Sequence, residues 1–158
     1  MEKFLCEDKG LKQAFLPVDL NAAAVVGARV LADARVAIVV SMGDSTAATV
    51  AFTLKQHNAA SGGTSKVLEI ANKYYVKAGT ANVFTKIEPE VAASVFDLSS
   101  TFAGEEGIVV FEVLPEDLDV NNGFSHVSIE IADSGAAKIA HGLYIVDSKF
   151  KPAHSVEL

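Results

Sequence analysis

The residues of this chain that most often perform chemistry in proteins are its histidines, which number four: His57, His126, His141 and His154. None is close in sequence to another histidine or to the single cysteine, Cys6. A zinc site needs three or four convergent ligands, so this spacing does not predict one. We expect the histidines to be surface or turn residues.

A serine precedes one of these histidines, but its position argues against catalysis. Ser125 and His126 lie in a stretch that alternates apolar and polar residues, as β-strands do. Neighbouring side chains of a strand point to opposite faces, so we expect the two residues not to form a Ser–His pair. The chain also lacks the G-x-S-x-G motif of many hydrolases. We therefore predict no catalytic residues and no enzyme; a site assembled from residues far apart in sequence is the alternative.

One string resembles the start of a calcium-binding EF-hand loop. Asp117, Asp119 and Asn121 have the spacing of the first ligands, but Gly123 comes one residue late and Ser128 occupies the position of the bidentate glutamate. Asn and Gly in this order instead predict a tight turn. We expect neither a bound metal nor a cofactor.

The apolar content bounds the class of protein. The chain has 158 residues, 50% of them hydrophobic, and its mean hydropathy is +0.31. The length predicts one domain. No window approaches the roughly 18 uninterrupted apolar residues of a membrane span, and the first residues lack the basic start and apolar core of a signal peptide. The apolar residues are therefore expected in a core and in contacts between subunits.

The net charge of −7 argues against nucleic acid as a partner. Polyanion binding depends on clustered basic residues, whereas the only arginines are Arg29 and Arg35 and the lysines are scattered. With Cys6 as the single cysteine, no intrachain disulfide can form. We expect a free thiol there; a bridge between subunits is the alternative.

From residue 35 onward the chain reads as short strands separated by turns. The predicted strands span residues 35–42, 49–57, 66–75, 82–87, 94–98, 108–114, 125–133 and 137–146. Such spacing is typical of antiparallel sandwiches and barrels. We predict an all-β fold, an antiparallel β-sandwich or jelly-roll-like barrel with an N-terminal extended arm. Residues 1–34 are expected to form the arm or lead-in segment, and residues 35–158 the β-sandwich domain.

Three of these strands carry specific predictions about facing. The apolar run in Arg35–Met42 suits a strand that is covered on both faces. In the strand of residues 49–57, Phe52 and Leu54 are expected to point inward. In the strand of residues 125–133, we expect Val127, Ile129 and Ile131 to point inward. The last strand carries the apolar residues Ile139, Leu143 and Ile145.

Two stretches carry a resemblance to a known family. They are Val36–Lys55, followed by the Ser-Gly-Gly-Thr loop of residues 61–64, and Leu118–Asp133. Over residues 28–147 the chain resembles the head decoration (cement) proteins of tailed bacteriophages, whereas residues 1–21 match no part of that pattern. The resemblance implies a β-sandwich or jelly-roll-like homotrimer on the outer surface of the capsid, made in the host cytoplasm.

The same resemblance implies which partners the chain binds. The partners are the major capsid protein and further copies of the chain, with no nucleic acid and no membrane. We expect the N-terminal segment to dock on the capsid through four apolar anchors: Phe4, Leu5, Phe15 and Leu16. The alternatives are another virion subunit, from a tail, baseplate or connector, and a glycan- or ligand-binding β-sandwich module.

Overall fold

The computed structural model describes residues 9–21, 23–43, 49–70 and 73–147. Within these ranges the chain forms two antiparallel β-sheets, joined by loops and by two 3-10 turns at Pro115–Asp117 and Val120–Asn122. Apolar side chains from both sheets form one core between them. The predicted all-β antiparallel sandwich is confirmed.

The two sheets share the strands as follows. The first sheet has the spatial order β1 (Lys9–Asp19), β12 (Ile139–Asp147), β4 (Val36–Met42), β10 (Gly107–Val113), β7 (Tyr74–Ala78) and β8 (Thr85–Ile87). The second has the order β2 (Val25–Val26), β11 (His126–Ile131), β5 (Ala51–His57) and β6 (Ser65–Val67), with β3 (Val30–Leu31) also paired to β11 and β9 (Val95–Asp97) also paired to β5.

The described part of the predicted N-terminal arm, residues 9–21 and 23–34, is largely extended and contributes strands to both sheets. β1 runs antiparallel to β12, from Lys9 opposite Asp147 to Asp19 opposite Ile139. β2 and β3 pair with β11 in the second sheet. In this structure the described part of the segment therefore docks on its own chain.

The core is organised around a cluster of aromatic rings. Phe111 of β10 lies with its ring centroid 5.6 Å from that of Phe52, 4.9 Å from that of Phe96 and 5.4 Å from that of Tyr74. Each such pair adds about 1 kcal/mol beyond the apolar area it buries. Phe52 and Leu54 are fully buried, which confirms the predicted facing of β5.

The prediction of one strand over residues 66–75 is wrong. β6 pairs with β5 in the second sheet, whereas β7 pairs with β10 in the first. Between them Leu68 and Ile70 are buried in the core, and Ile70 forms an isolated bridge with Ala93. The chain crosses between the sheets here, and alternating apolar residues that point into a core from a crossover look like a strand in the sequence.

The apolar residues singled out in the last strand do not face the core. The inward residues of β12 are Ala140, Gly142, Tyr144 and Val146, whereas Ile139 is exposed and Leu143 and Ile145 are half-buried. Two contacts account for this facing of β12. The ring of Phe15 fills the space beside Gly142, where a Cβ atom would lie 2.3 Å from Cε1 of that ring. The hydroxyl of Tyr144 donates to the carbonyl oxygen of Ala28 at 2.8 Å, and burial raises its pKa to about 12.

Candidate functional site

The four residues predicted to anchor the chain on a capsid differ in where they lie. Phe4 and Leu5 lie outside the described residues. Phe15 is only 9% exposed and packs against Gly142 in the core, so in this structure its side chain serves the chain's own fold. Leu16 is 66% exposed and keeps the accessibility that an anchor needs.

β1, which carries Leu16, is an edge strand with an irregular register. The pairing with β12 shifts between Gln13 and Phe15 and again between Phe15 and Val18. Such bulges bend an edge strand and limit further pairing. The two residues between Phe15 and Val18 stand against His141, an outward position of β12. Leu16 therefore lies on the outer side of the first sheet. Leu11, earlier in the same strand, is 47% exposed.

The outer side of the first sheet carries an unusual concentration of apolar residues, which we call the apolar face. Its members occupy six half-buried, outward positions of three neighbouring strands: Ala37 and Val39 of β4, Ile108 and Val110 of β10, and Leu143 and Ile145 of β12. Glu112 and His141 lie at the two ends of the same side. Val39 lies between Leu143 and Val110 in the register, and Ala37 lies beside Ile145. The six side chains are therefore neighbours on one surface.

One end of the apolar face is bordered by paired charges. Arg35 binds the carboxylate of Asp147 through Nε at 2.9 Å and Nη2 at 2.8 Å, and Lys9 approaches the same carboxylate at 2.5 Å. Glu112 lies 3.9 Å from the Arg35 guanidinium. The hydrogen bond from Lys9, followed by that from Arg35, lowers the pKa of Asp147 below its usual value.

The outer side of the second sheet is different in character, because its central positions are polar. Thr53 lies opposite Glu130 in the register of β5 and β11. The carboxylate of Glu130 forms an ion pair with Lys55. Alternation along β5 and β11 is therefore apolar-in and polar-out, the pattern of an antiparallel sheet with one solvated face.

A buried histidine occupies this polar side, contrary to the prediction that the histidines are surface or turn residues. His57 is 3% exposed, with its Nδ1 atom 2.6 Å from the Ser65 hydroxyl and its Nε2 atom 2.8 Å from the Ser128 hydroxyl. Burial, aided by the nearby positive charges of Arg29 and Lys55, lowers the pKa of His57 to about 4. The ring is therefore neutral at pH 7.

A third Ser–His contact, between Ser125 and His126, corrects another prediction. The Ser125 hydroxyl lies 3.0 Å from Nδ1 of His126. β11 begins at His126, so Ser125 is outside the strand and the alternation rule does not separate the two side chains. Burial lowers the pKa of His126 as well.

These contacts do not form the geometry of a hydrolase site. In a catalytic triad, a carboxylate orients the histidine and stabilises its protonated form. At His57 both ring nitrogens instead meet hydroxyl groups, and the charges that act on the ring are positive. A histidine with a pKa of about 4 is a weak base at pH 7. The better-supported role of His57 is structural. Arg29, whose charge acts on the same ring, donates to the carbonyl oxygens of Ala59 and Gly62 and so holds the adjoining loop.

The EF-hand-like string forms a turn, as predicted. Gly123 has a φ of +81° after the 3-10 turn Val120–Asn122. The carboxylate of Asp119 accepts hydrogen bonds from the Asn122 side chain at 2.8 and 2.9 Å and pairs with Lys66. Across the ranges that the structure describes, no three His, Cys, Asp or Glu side chains are grouped as a metal site would require.

A buried lysine and a shallow depression lie at one end of the sandwich. Lys138 is fully buried, and its Nζ atom donates to the carbonyl oxygens of Phe102 and Glu105, both at 3.0 Å. These bonds hold the loop that precedes β10. A depression of about 420 Å³ beside this loop is lined by Gly79, Thr80, Gly104, Glu105 and Glu106, and such a lining offers no apolar wall for a ligand.

Comparisons with known proteins add little to this description. No family model matches the chain, and no curated protein matches it. Among solved structures, the chain is similar to the crystal structure of the SPBc2 prophage-derived protein YomS, with 10% identity over 87% of this chain and 93% of that one and a TM-score of 0.43. That TM-score is too low to carry over a fold or a function. Among the described residues, no helix is long and apolar enough to cross a membrane.

Proposed function

We propose that the chain is a virion structural protein, a head decoration protein that binds the outer surface of the major capsid protein lattice and stabilises the head. The observation that carries the proposal is the exposed apolar edge of the first sheet at Leu11 and Leu16 of β1, which lies beside the apolar face. Contiguous apolar surface of this kind marks interaction sites in soluble proteins. The resemblance over residues 28–147 supplies the narrower identity.

The mode of docking follows from where the predicted anchors lie. Leu16 is the described residue on which capsid contact is proposed, with Phe4 and Leu5 in the preceding segment. Phe15 is assigned to the core, because removing its ring would leave a cavity beside Gly142. Each contact is weak alone, but the copies of a homotrimer bind the lattice together and raise the overall affinity.

The proposed role is a non-catalytic one, with no nucleic acid and no membrane as partner. The chain would be made in the host cytoplasm and then reside on the capsid surface. The neutral, hydroxyl-bound His57 serves the fold in this proposal, and no cofactor is required.

The proposal is tested by binding to capsids that lack the chain. Leu16→Asp should weaken co-sedimentation with such capsids about tenfold or more, since a buried carboxylate at a contact is unfavourable. Leu31→Asp is the matched control, because Leu31 is an exposed leucine of the second sheet at 42% exposure. Deletion of residues 1–8 tests the preceding segment and leaves β1 intact. Full binding by Leu16→Asp and by the deletion together would exclude docking through this segment.

The capsid assay also separates the two alternatives. A tail, baseplate or connector subunit should ignore capsids and form stacked rings or fibres in electron micrographs. A glycan- or ligand-binding module should ignore capsids and bind immobilised glycans. Binding to neither capsids nor glycans, with stacked rings or fibres in electron micrographs, favours the other virion subunits.

A further inference from the structure

We infer that the apolar face is the surface through which copies of this chain bind one another. The inference rests on the self-association contained in the proposed function, and it names the residues that carry it. It commits to a further copy of the chain as the occupant of the face.

The first step is that the described residues of the chain leave this surface only partly covered. β4 has the continuous apolar run of a strand buried on both sides, yet Ala37 and Val39 on its outer side are only half-buried. The neighbouring strands add Val110 and Leu143 on either side of Val39. An antiparallel sheet that faces water normally carries polar residues at such positions, as β5 does with Thr53 and Lys55.

The second step is that the shape of the face suits another sheet. Its outward side chains come from neighbouring strands at the same register, so the surface is a broad sheet face and not a cleft. Two such faces pack about 10 Å apart with their side chains interdigitated. Strand spacings and residue rises give the first sheet a projected outer area of roughly 500 Å². Stable interfaces bury about 800 Å² per partner, so the outer side of the first sheet, with the apolar face at its centre, supplies more than half of one.

The third step is that charge singles out this face as a place where two copies of an acidic chain can meet. The chain carries a net charge of −7, so most arrangements of two copies bring like charges together. Around the apolar face, however, Lys9, Arg35 and Lys77 accompany Glu112 and Asp147, a set with three positive and two negative charges. An apolar centre with mutually paired charges at its edge is the anatomy of a protein interface.

The symmetry of closed oligomers fits the same surface. Residues that surround a symmetry axis meet their own equivalents in the next copy. An apolar side chain is compatible with its own equivalent, whereas a charged one is repelled by it. The centre of the face, at Val39 and Val110, is therefore suited to lie near such an axis in a dimer or a trimer.

The test compares the two sheets at matched positions. Val39→Lys places a charge at the centre of the apolar face, and Thr53→Lys places the same charge at a half-buried outward position of a central strand in the second sheet. Sedimentation velocity over a wide concentration range should show two or three associated chains for the unmodified protein and for Thr53→Lys. Val39→Lys should raise the dissociation constant about tenfold or more, with circular dichroism reporting whether it is folded.

A second measurement keeps the test decisive if Val39→Lys does not fold. In a Cys6→Ser background, Val110→Cys and Thr53→Cys carry one thiol each, on the two outer sides. Alkylation of Val110→Cys should slow severalfold as the protein concentration rises, whereas alkylation of Thr53→Cys should not change. Equal alkylation of both at all concentrations overturns the inference, as does an unmodified chain that stays monomeric.

The outcomes also separate this inference from the proposed function. A monomeric chain that still binds capsids removes the self-contact and leaves the decoration role standing. An oligomer that persists in Val39→Lys while capsid binding is lost assigns the face to the capsid and overturns its assignment to a further copy. A self-associating chain that ignores capsids retains the self-contact and removes the decoration role.

Discussion

The two sheets of this sandwich share one core but present opposite kinds of surface to the outside. On the second sheet, Thr53, Lys55 and Glu130 occupy the outward positions of the central strands, and two of them form an ion pair. On the first sheet, the corresponding positions include Val39 and Val110. The contrast teaches that the central strands are apolar on the outer side of one sheet and polar on that of the other. The exposed apolar residues of the second sheet lie on its flanking strands: Val26, Leu31, Val67 and Val95.

The largest effect is expected in the core that the two sheets share. Phe111→Ala removes a fully buried ring that contacts Phe52 and Phe96. We expect a loss of about 4 kcal/mol in the free energy of unfolding, because the truncation removes apolar burial and leaves a cavity. Urea unfolding followed by circular dichroism measures it. A loss below about 1 kcal/mol would contradict the assignment of this ring to the core.

The next effect belongs to the second sheet and depends on pH. The unfolded chain takes up a proton on residue 57 near pH 6.5, whereas the folded chain does not until about pH 4. The free energy of unfolding should therefore fall by about 3 kcal/mol as the pH drops through this window, and level off below it. Urea unfolding at several pH values measures the fall.

The control for this prediction is His57→Gln, which keeps a hydrogen-bonding side chain but cannot titrate. It should lose most of the pH dependence between pH 6.5 and pH 4. His126 contributes with the same sign, since burial lowers its pKa as well. An unchanged profile in His57→Gln would place the titrating group elsewhere.

A smaller effect distinguishes the two outer sides directly by exchanging their character. Val39→Thr and Thr53→Val swap a methyl group for a hydroxyl group at comparable half-buried positions. Val39→Thr should weaken self-association by about 1 kcal/mol, because a hydroxyl group would have to be buried without an assured partner. Thr53→Val should leave it unchanged. Sedimentation equilibrium measures both, and an equal response of the two variants would remove the contrast between the sheets.

The smallest effect is expected at the ion pair on the second sheet. Lys55 and Glu130 have side chains that are 34% and 25% exposed. Solvent screens the pair in part, while Oε2 of Glu130 itself is buried. Lys55→Met should change the free energy of unfolding by less than about 1 kcal/mol. Thermal unfolding at low and high salt measures the change. A much larger loss would mean that the polar outer side contributes to stability as the core does.

Prediction from the sequence succeeded where one side of a strand is polar. In β5 the alternation of Phe52 and Leu54 with Thr53 and Lys55 leaves a single facing that buries the apolar residues, and the structure has that facing. β12 offers no such guide, because its two sides are both largely apolar. The facing there is decided by the contact of Phe15 with Gly142, which joins residues far apart in the chain.

The candidate site shows the same limit. The Ser65 and Ser128 contacts of His57 come from β6 and β11, and they exist only once those strands pair with β5. No spacing in the sequence indicates them. The apolar run of β4 predicts a strand covered on both sides, and the apolar face is one of these sides. The sequence alone does not say whether the second cover comes from the same chain, and the described residues do not provide it.

The packing of Phe15 against Gly142 has a consequence for how this chain can change over evolutionary time. A side chain at position 142 has room only if the residue at position 15 becomes smaller. The side-chain sizes at the two positions should therefore covary in related sequences. A large ring at position 15 should accompany glycine at position 142, and a smaller aliphatic residue should accompany alanine. Such a pair of substitutions would preserve the register of β1 and therefore the positions of Leu11 and Leu16 beside the apolar face.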